Sequence, residues 1–258
     1  MRRSLIVALI AASLLFAGCG TSGGDDAATD DDGAAVTTTA ADSSTTEAQH
    51  APVSKADLES ILPTADDIGP AYTVKEPDHE QGGTTTTTVA EDPADAALAK
   101  ACPEAAKLGL MDDEVNDDEV AREFSTQDGR GIEITLDPTP TGMSDAAVDD
   151  IVEALNSCDT ITYTDPDSGK VSMDLSAERL ADIGEYGVDV SLKASFELFE
   201  VPVALEFHGY LFVVNGVGVT VTASSGLDQS TFETVPADTD RLEPLSIEME
   251  QRVKTVTD

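Results

Sequence analysis

Hydrophobic and polar positions alternate along much of the second half of the chain. Val188, Val190, Leu192, Ala194, Phe196 and Leu198 are interleaved with Asp189, Ser191, Lys193, Ser195 and Glu197. A period of two sends successive side chains to opposite faces of a strand, so one face is dry and the other wet. A second run, Val203 to Val214, would bury Val203, Leu205, Phe207, Leu211 and Val213, and it carries apolar residues on both faces. Asn215-Gly216 follows as a two-residue hairpin turn, since these residue types tolerate the positive φ angles that such turns require. Val217, Val219, Val221 and Ala223 form a third alternating run. Together the three runs predict an antiparallel meander with one solvated face.

Helical spacing marks other segments. Ser54, with Asp57 three residues on, starts a helix in a capping-box arrangement. Leu58, Ile61 and Leu62 share a face, and Pro63 ends it. Residues 62 to 69 read as a turn and a second short helical piece, and residues 75 to 92 as a loop. A helix is expected over Ala94 to Leu108, broken near Pro103. Two strands, Val120 to Thr126 and Gly131 to Leu136, are expected to flank an Asp128-Gly129 turn. Ser144 caps a helix running through Ser157, with Val148, Ile151, Val152 and Leu155 at helical spacing. Weaker strands at 160 to 164 and 170 to 174 flank an Asp165-Pro166-Asp167-Ser168-Gly169 turn. A last helix runs from Asp240 to Val256, with Pro244 in its first turn, where proline is tolerated. The expected class is α+β: a twisted antiparallel sheet with helices packed on one face.

The N-terminus has a different character. Arg2 and Arg3 precede an uncharged apolar stretch from Leu5 to Phe16. About 20 residues are needed to span a bilayer, so this stretch fits the apolar region of a secretory signal and not a membrane helix. Leu15-Phe16-Ala17-Gly18-Cys19 resembles the lipobox of bacterial lipoproteins, with Phe16 where leucine is usual. That resemblance implies cleavage after residue 18 and lipid attachment at Cys19, with acyl chains holding the protein on the extracytoplasmic face of the cell membrane. Residues 19 to 53 read as an acidic, disordered linker of Gly, Ser, Thr, Ala and Asp. They have too few apolar side chains to offset backbone ordering. Residues 54 to 258 form the globular domain. Thr37 to Thr39, Ser43 to Thr46 and Thr84 to Thr88 are candidate sites of O-linked sugar, the plainer reading being unmodified chain.

Charge narrows the partners. The chain has 51 acidic and 14 basic side chains, a formal charge of −37. Such a balance excludes a nucleic-acid partner, whose phosphates demand Lys and Arg, and a polybasic grip on anionic lipid. With Cys19 lipidated, Cys102 and Cys158 remain as an even pair in an oxidising compartment, and they are expected to form a disulfide. Closing a loop of that length is worth about 4 kcal/mol on chain-entropy reasoning. There is no CxxC and no histidine cluster to suggest zinc.

Several pieces occur in a recognisable order. They are Leu62-Pro63-Thr64-Ala65-Asp66, the "ACPEA" segment around Cys102, the helix ending in Ser157-Cys158, Ile183-Gly184-Glu185-Tyr186-Gly187, the "LFVVNGVGVTVTAS" hairpin and the C-terminal helix. Together they resemble the PknH-like extracellular sensor domain of actinobacteria, over roughly residues 54 to 256. That family occurs outside Ser/Thr kinases and as freestanding lipoproteins. Its kinase-attached members are associated with two disulfides and a cleft proposed to bind a ligand; this chain has cysteines for one bridge in the domain. The resemblance implies a sensing or binding module whose signal would pass through a signalling or envelope protein partner.

Motifs for catalysis are missing: there is no GxSxG, HExxH, P-loop or GxGxxG. No catalytic residue, resident metal or cofactor is therefore expected, and the protein is not read as an enzyme. His50 falls in the linker and His79 in the 75 to 92 loop, whereas His208 falls mid-strand with Glu206 and Tyr210 on the same face. This trio is the candidate ligand cleft, the alternative being a solvated or covered polar face. Asp165, Asp167 and Gly169 match only part of a calcium loop and read better as a turn. Phe196, Phe199, Phe207 and Phe212 are expected in the core. The ligand class stays open among small molecule, glycan and lipid. A lipid or glycolipid carrier with an apolar cavity is the second reading.

Overall fold

A computed structural model describes residues 53–75, 93–108, 118–140, 143–165, 169–198, 201–228, 231 and 233–257. The leader, Cys19, the linker, His50, His79, the threonine run, the centre of the 165 to 169 turn and Phe199 lie outside these residues.

The helices and the longer strands are those the spacing predicts, with shifted ends; the strand expected at 170 to 174 runs on to Arg179, and the two-residue strands at 73–74, 226–227 and 234–235 are not predicted by it. Helices α1 (Lys55–Ile61) and α2 (Ala65–Ile68) precede a short strand β1 (Thr73–Val74); α3 (Pro93–Ala101) and α4 (Pro103–Lys107) follow. Then come β2 (Val120–Ser125), β3 (Gly131–Asp137), α5 (Asp145–Asn156), β4 (Ile161–Asp165) and β5 (Gly169–Arg179). The long meander is β6 (Tyr186–Leu198), β7 (Val201–Val214) and β8 (Val217–Ser224). Two-residue strands β9 (Gly226–Leu227) and β10 (Thr234–Val235) pair with each other, and a 3-10 turn at Thr239–Arg241 leads into α6 (Leu242–Thr257).

Local chemistry accounts for the element ends. The Ser54 hydroxyl accepts from the Asp57 N–H while the Asp57 carboxylate accepts from the Ser54 N–H, closing the capping box. Ser144 caps α5 through the Ala147 N–H. The break at Cys102 separates α3 from α4, with Pro103 opening the new helix, where its missing N–H costs nothing. Asn215 and Gly216 both have positive φ, as their turn requires.

Eight strands form one antiparallel sheet in the order β1-β2-β3-β8-β7-β6-β5-β4. Directly paired residues in adjacent antiparallel strands share a face, so the register assigns every side chain to one of two surfaces. Val221 pairs with Ile134 on one side and Tyr210 on the other, and Phe212 pairs with Val219. These residues therefore share a face, and their core includes Leu58 and Ile61 of α1, Phe124 of β2, and Leu242, Leu245, Met249 and Val253 of α6. Leu211 pairs with Val188 and Phe207 with Leu192. They point the opposite way, into a second core with Met173 of β5, Val148, Ile151 and Leu155 of α5, Leu98 of α3, and Cys102.

The expectation of helices on one face is thus corrected: α1 and α6 cover one face of half the sheet, and α3, α4 and α5 cover the other face of the other half. The hinge is β7. Leu211, Phe212, Val213 and Val214 are all buried, because this stretch lies under both layers. An amphipathic strand has one dry face; a strand shared by two cores on opposite faces needs two. The meander accordingly has no single solvated face. Gly187, opposite Phe212, makes this crossing fit: a Cβ there would sit 2.6 Å from the Leu211 carbonyl oxygen and 2.7 Å from the Phe212 Cβ.

The predicted disulfide between Cys102 and Cys158 is formed, bringing their Cα atoms to 4.4 Å and joining the α3–α4 break to the end of α5. Asn156, two residues before Cys158, donates to the Ala177 carbonyl (2.7 Å) and accepts from the Ala177 N–H (2.9 Å), docking the same helix end onto β5.

Candidate functional site

Away from the stretch of β7 that α6 covers, the second core's strands present a polar other face among the described residues. On β6 and β7 that face carries Asp189, Ser191, Lys193, Glu206, His208 and Tyr210. The three residues of the expected cleft do share it, because they alternate along β7 and pair in turn with Lys193, Ser191 and Asp189. It is the same face that α6 covers further along β7, so the polar cluster begins where the α6 core ends; Tyr210 packs against that core.

The three residues differ in how they are engaged. Glu206 forms an ion pair with Lys193 at 3.0 Å. Its N–H is held by the Ser225 hydroxyl at 2.8 Å. Ser191 and Ser176 bond each other at 2.9 Å. Asp189, His208 and Tyr210 are half-buried, and their side chains make no hydrogen bond or ion pair among the described residues.

Electrostatics follows from that isolation. Burial pushes the Asp189 carboxyl above its ordinary range, Glu178 on the neighbouring strand adds to the rise, and His208 opposes it. Glu178 is the direct cross-strand partner of Asp189, which puts the two Cβ atoms about 5 Å apart. The Tyr210 hydroxyl is also raised, first by burial, then by Asp189 and by Glu243 in the first turn of α6. Among the described residues, no three His, Cys, Asp or Glu side chains group closely enough to hold a metal ion.

Asp189, Glu178 and Glu243 were not singled out from the sequence. Asp189 reads there only as one wet position among several on β6. Its place beside Tyr210 depends on the β6–β7 register, and the Leu198-Phe199-Glu200-Val201 connection contains no Gly, Pro or Asn to announce a turn. Assuming a two-residue connection would have paired 189 with 210.

Of the four expected core phenylalanines, Phe207 and Phe212 are buried and Phe196 packs on the second core. Among the described residues no helix is long and apolar enough to cross a membrane. No family model matches the chain, and neither the curated proteins nor the solved structures contain a match.

Proposed function

We propose that this is a lipid-anchored extracytoplasmic binding or sensing protein, fastened through Cys19, held off the membrane by residues 19 to 53, and taking its ligand on the sheet surface around Asp189, His208 and Tyr210. One observation carries the ligand reading: three polar side chains on one face are partly removed from water and make no hydrogen bond or ion pair among the described residues. Burying a polar group without a hydrogen bond costs on the order of 1–3 kcal/mol. A ligand that bonds these groups offsets that cost. The position suits the task, because the groups sit on a wide sheet beside the first turn of α6, so that rigid elements hold them.

The carrier reading has lost its main support. It drew on the apolar residues on both faces of β7, and of these Phe207 and Leu211 pack in one core and Phe212 and Val214 in the other. Relay to a signalling or envelope protein remains part of the proposal, on the resemblance to a sensor domain.

Two measurements test the proposal in its separate parts. Cells expressing the full chain and fed labelled palmitate should label the protein, and Cys19→Ala should abolish labelling and release it from the membrane fraction; an unlabelled, unchanged protein would refute the anchor. For the ligand, native mass spectrometry of the chain released from membranes should show a bound small molecule that Tyr210→Phe with His208→Ala removes. A ligand retained in that variant would place binding elsewhere.

A further inference from the structure

We infer that the Asn215-Gly216 turn is a modification site: Asn215 deamidates to aspartate and isoaspartate, and the last turn of α6 holds the reaction in check.

The turn supplies both reacting groups. Val214 pairs with Val217, so Asn215 and Gly216 are the whole connection between β7 and β8. Apart from its chain neighbours, no atom lies within 4 Å of the place where a Gly216 side chain would start. With no Cβ and no crowding, the Gly216 backbone nitrogen is open to attack its neighbour. That nitrogen gives its proton to solvent and bonds to the Asn215 side-chain carbonyl carbon. The bond from that carbon to Nδ2 breaks, and Nδ2 takes up a solvent proton and leaves as ammonia. Solvent water then opens the cyclic imide at either carbonyl, giving aspartate or isoaspartate.

The check comes from α6. Nδ2, the nitrogen that must leave, donates to the Thr257 hydroxyl oxygen at 2.8 Å. Thr257 is the last residue of α6 and is 8% exposed. Its own hydroxyl proton goes to the Val253 carbonyl at 3.0 Å, so its oxygen faces Asn215 as an acceptor. While that bond stands, the carboxamide is aimed at α6 and not turned onto the Gly216 nitrogen. Release of the helix end therefore precedes the attack. The product cannot re-dock: a carboxylate has no proton to give the Thr257 oxygen. It also adds a negative charge beside Glu185, whose carboxylate accepts the Asn215 N–H at 2.8 Å. Each event thus leaves a permanent record that the end of α6 has come free of the hairpin.

Asp128-Gly129 shows the contrast. Arg130 holds the Asp128 carboxyl below its ordinary range, and an ionised carboxylate resists attack. A side chain started at Gly129 would meet the Leu227 nitrogen at 3.4 Å, so this turn is covered where the other is open.

The test ages the full chain in detergent micelles, in warm, mildly alkaline buffer. Peptide mass mapping and labelling by an isoaspartate methyltransferase follow residue 215. The folded wild type should accumulate both products there, more slowly than the chain in urea. Thr257→Val keeps the shape and removes the acceptor, and it should speed the folded reaction about fivefold, the factor that one ordinary hydrogen bond is worth. Thr257→Ser, which restores the acceptor, should return the wild-type rate, and the exposed Thr255→Val should leave it unchanged. In folded Asn215→Asp, hydrogen exchange should rise first in the last turn of α6. If residue 215 stays an amide in both folded wild type and Thr257→Val while the chain in urea loses it, the folded turn is not a site and the inference fails. If Thr257→Val reacts at the wild-type rate, or Thr255→Val accelerates as much, the hold by α6 is refuted.

Discussion

The two halves of the sheet are closed by different means. The half under α1 and α6 joins segments far apart in the chain: α1 near the start of the domain packs against α6 at its end. Arginines hold it together. Arg252 of α6 donates to the Ile61 carbonyl (3.1 Å) and pairs with Asp67 (3.0 Å). Arg122 of β2 donates to the carbonyls of Leu62 and Pro63, and Arg241 to that of Ile68. These carbonyls end α1 and α2, neither of which has a basic residue in its last turn. Long-range arginines thus satisfy groups that a helix end leaves unbonded. The half under α3 to α5 is built mostly from neighbours in sequence and is closed covalently by Cys102–Cys158. One strand, β7, couples them. Where the chain must bring its two ends together it uses cations of fixed geometry, and where a loop must be held against a hairpin sheet it uses a bridge.

That contrast can be broken from either side. The largest effect is expected in the arginine-held half from Phe124→Ala, which empties a fully buried position; a loss of about 3–5 kcal/mol is expected, read by urea unfolding. Loss of both cysteines, as Cys102→Ala with Cys158→Ala, should cost about 2–5 kcal/mol. Hydrogen exchange should then rise first in α3, α5 and β4, with β2, β3 and α6 still protected; uniform loss across the sheet would mean that β7 couples the halves into one cooperative unit. Arg252→Ala should cost about 1.5–3 kcal/mol by freeing the Ile61 carbonyl and Asp67, with exchange rising first in α1.

The smallest effect has the opposite sign. Asp189 binds its proton more tightly folded than unfolded. Between the unfolded and folded values the native state therefore holds the extra proton, and stability falls as pH rises through that window. Asp189→Asn should raise the unfolding midpoint at neutral pH, and the gain should vanish below the ordinary carboxyl range near 4, where the group is protonated in both states. Unfolding of the two proteins as a function of pH decides it. A midpoint lowered at neutral pH would show that Asp189 stabilises the fold and would remove the main support for a ligand there.

Much of the local structure was legible beforehand. The β6 and β8 alternation, the Asn215-Gly216 turn, the Ser54 and Ser144 caps and the break before Pro103 each rest on interactions within a few residues, so they appear in the order of residue types. The pairing of Cys102 with Cys158 was legible for another reason: the expected export and lipidation of Cys19 left one pair to form. That His208 and Tyr210 share a face, with Glu206, was legible too, by strand period alone.

The remainder depended on register and layer. Sequence period says that β7 has two apolar faces, but it does not say that each belongs to a different core, since that depends on which side α5 and α6 lie. Asp189 looks like any wet position until strand pairing sets it beside Tyr210 and Glu178, where it is half-buried. The sequence by itself determined which residues form strands, caps and turns, because those choices are made by neighbours along the chain. Only the tertiary structure decided which polar groups are left half-dry and unpartnered, because desolvation is a property of what packs above a residue and not of the residue itself.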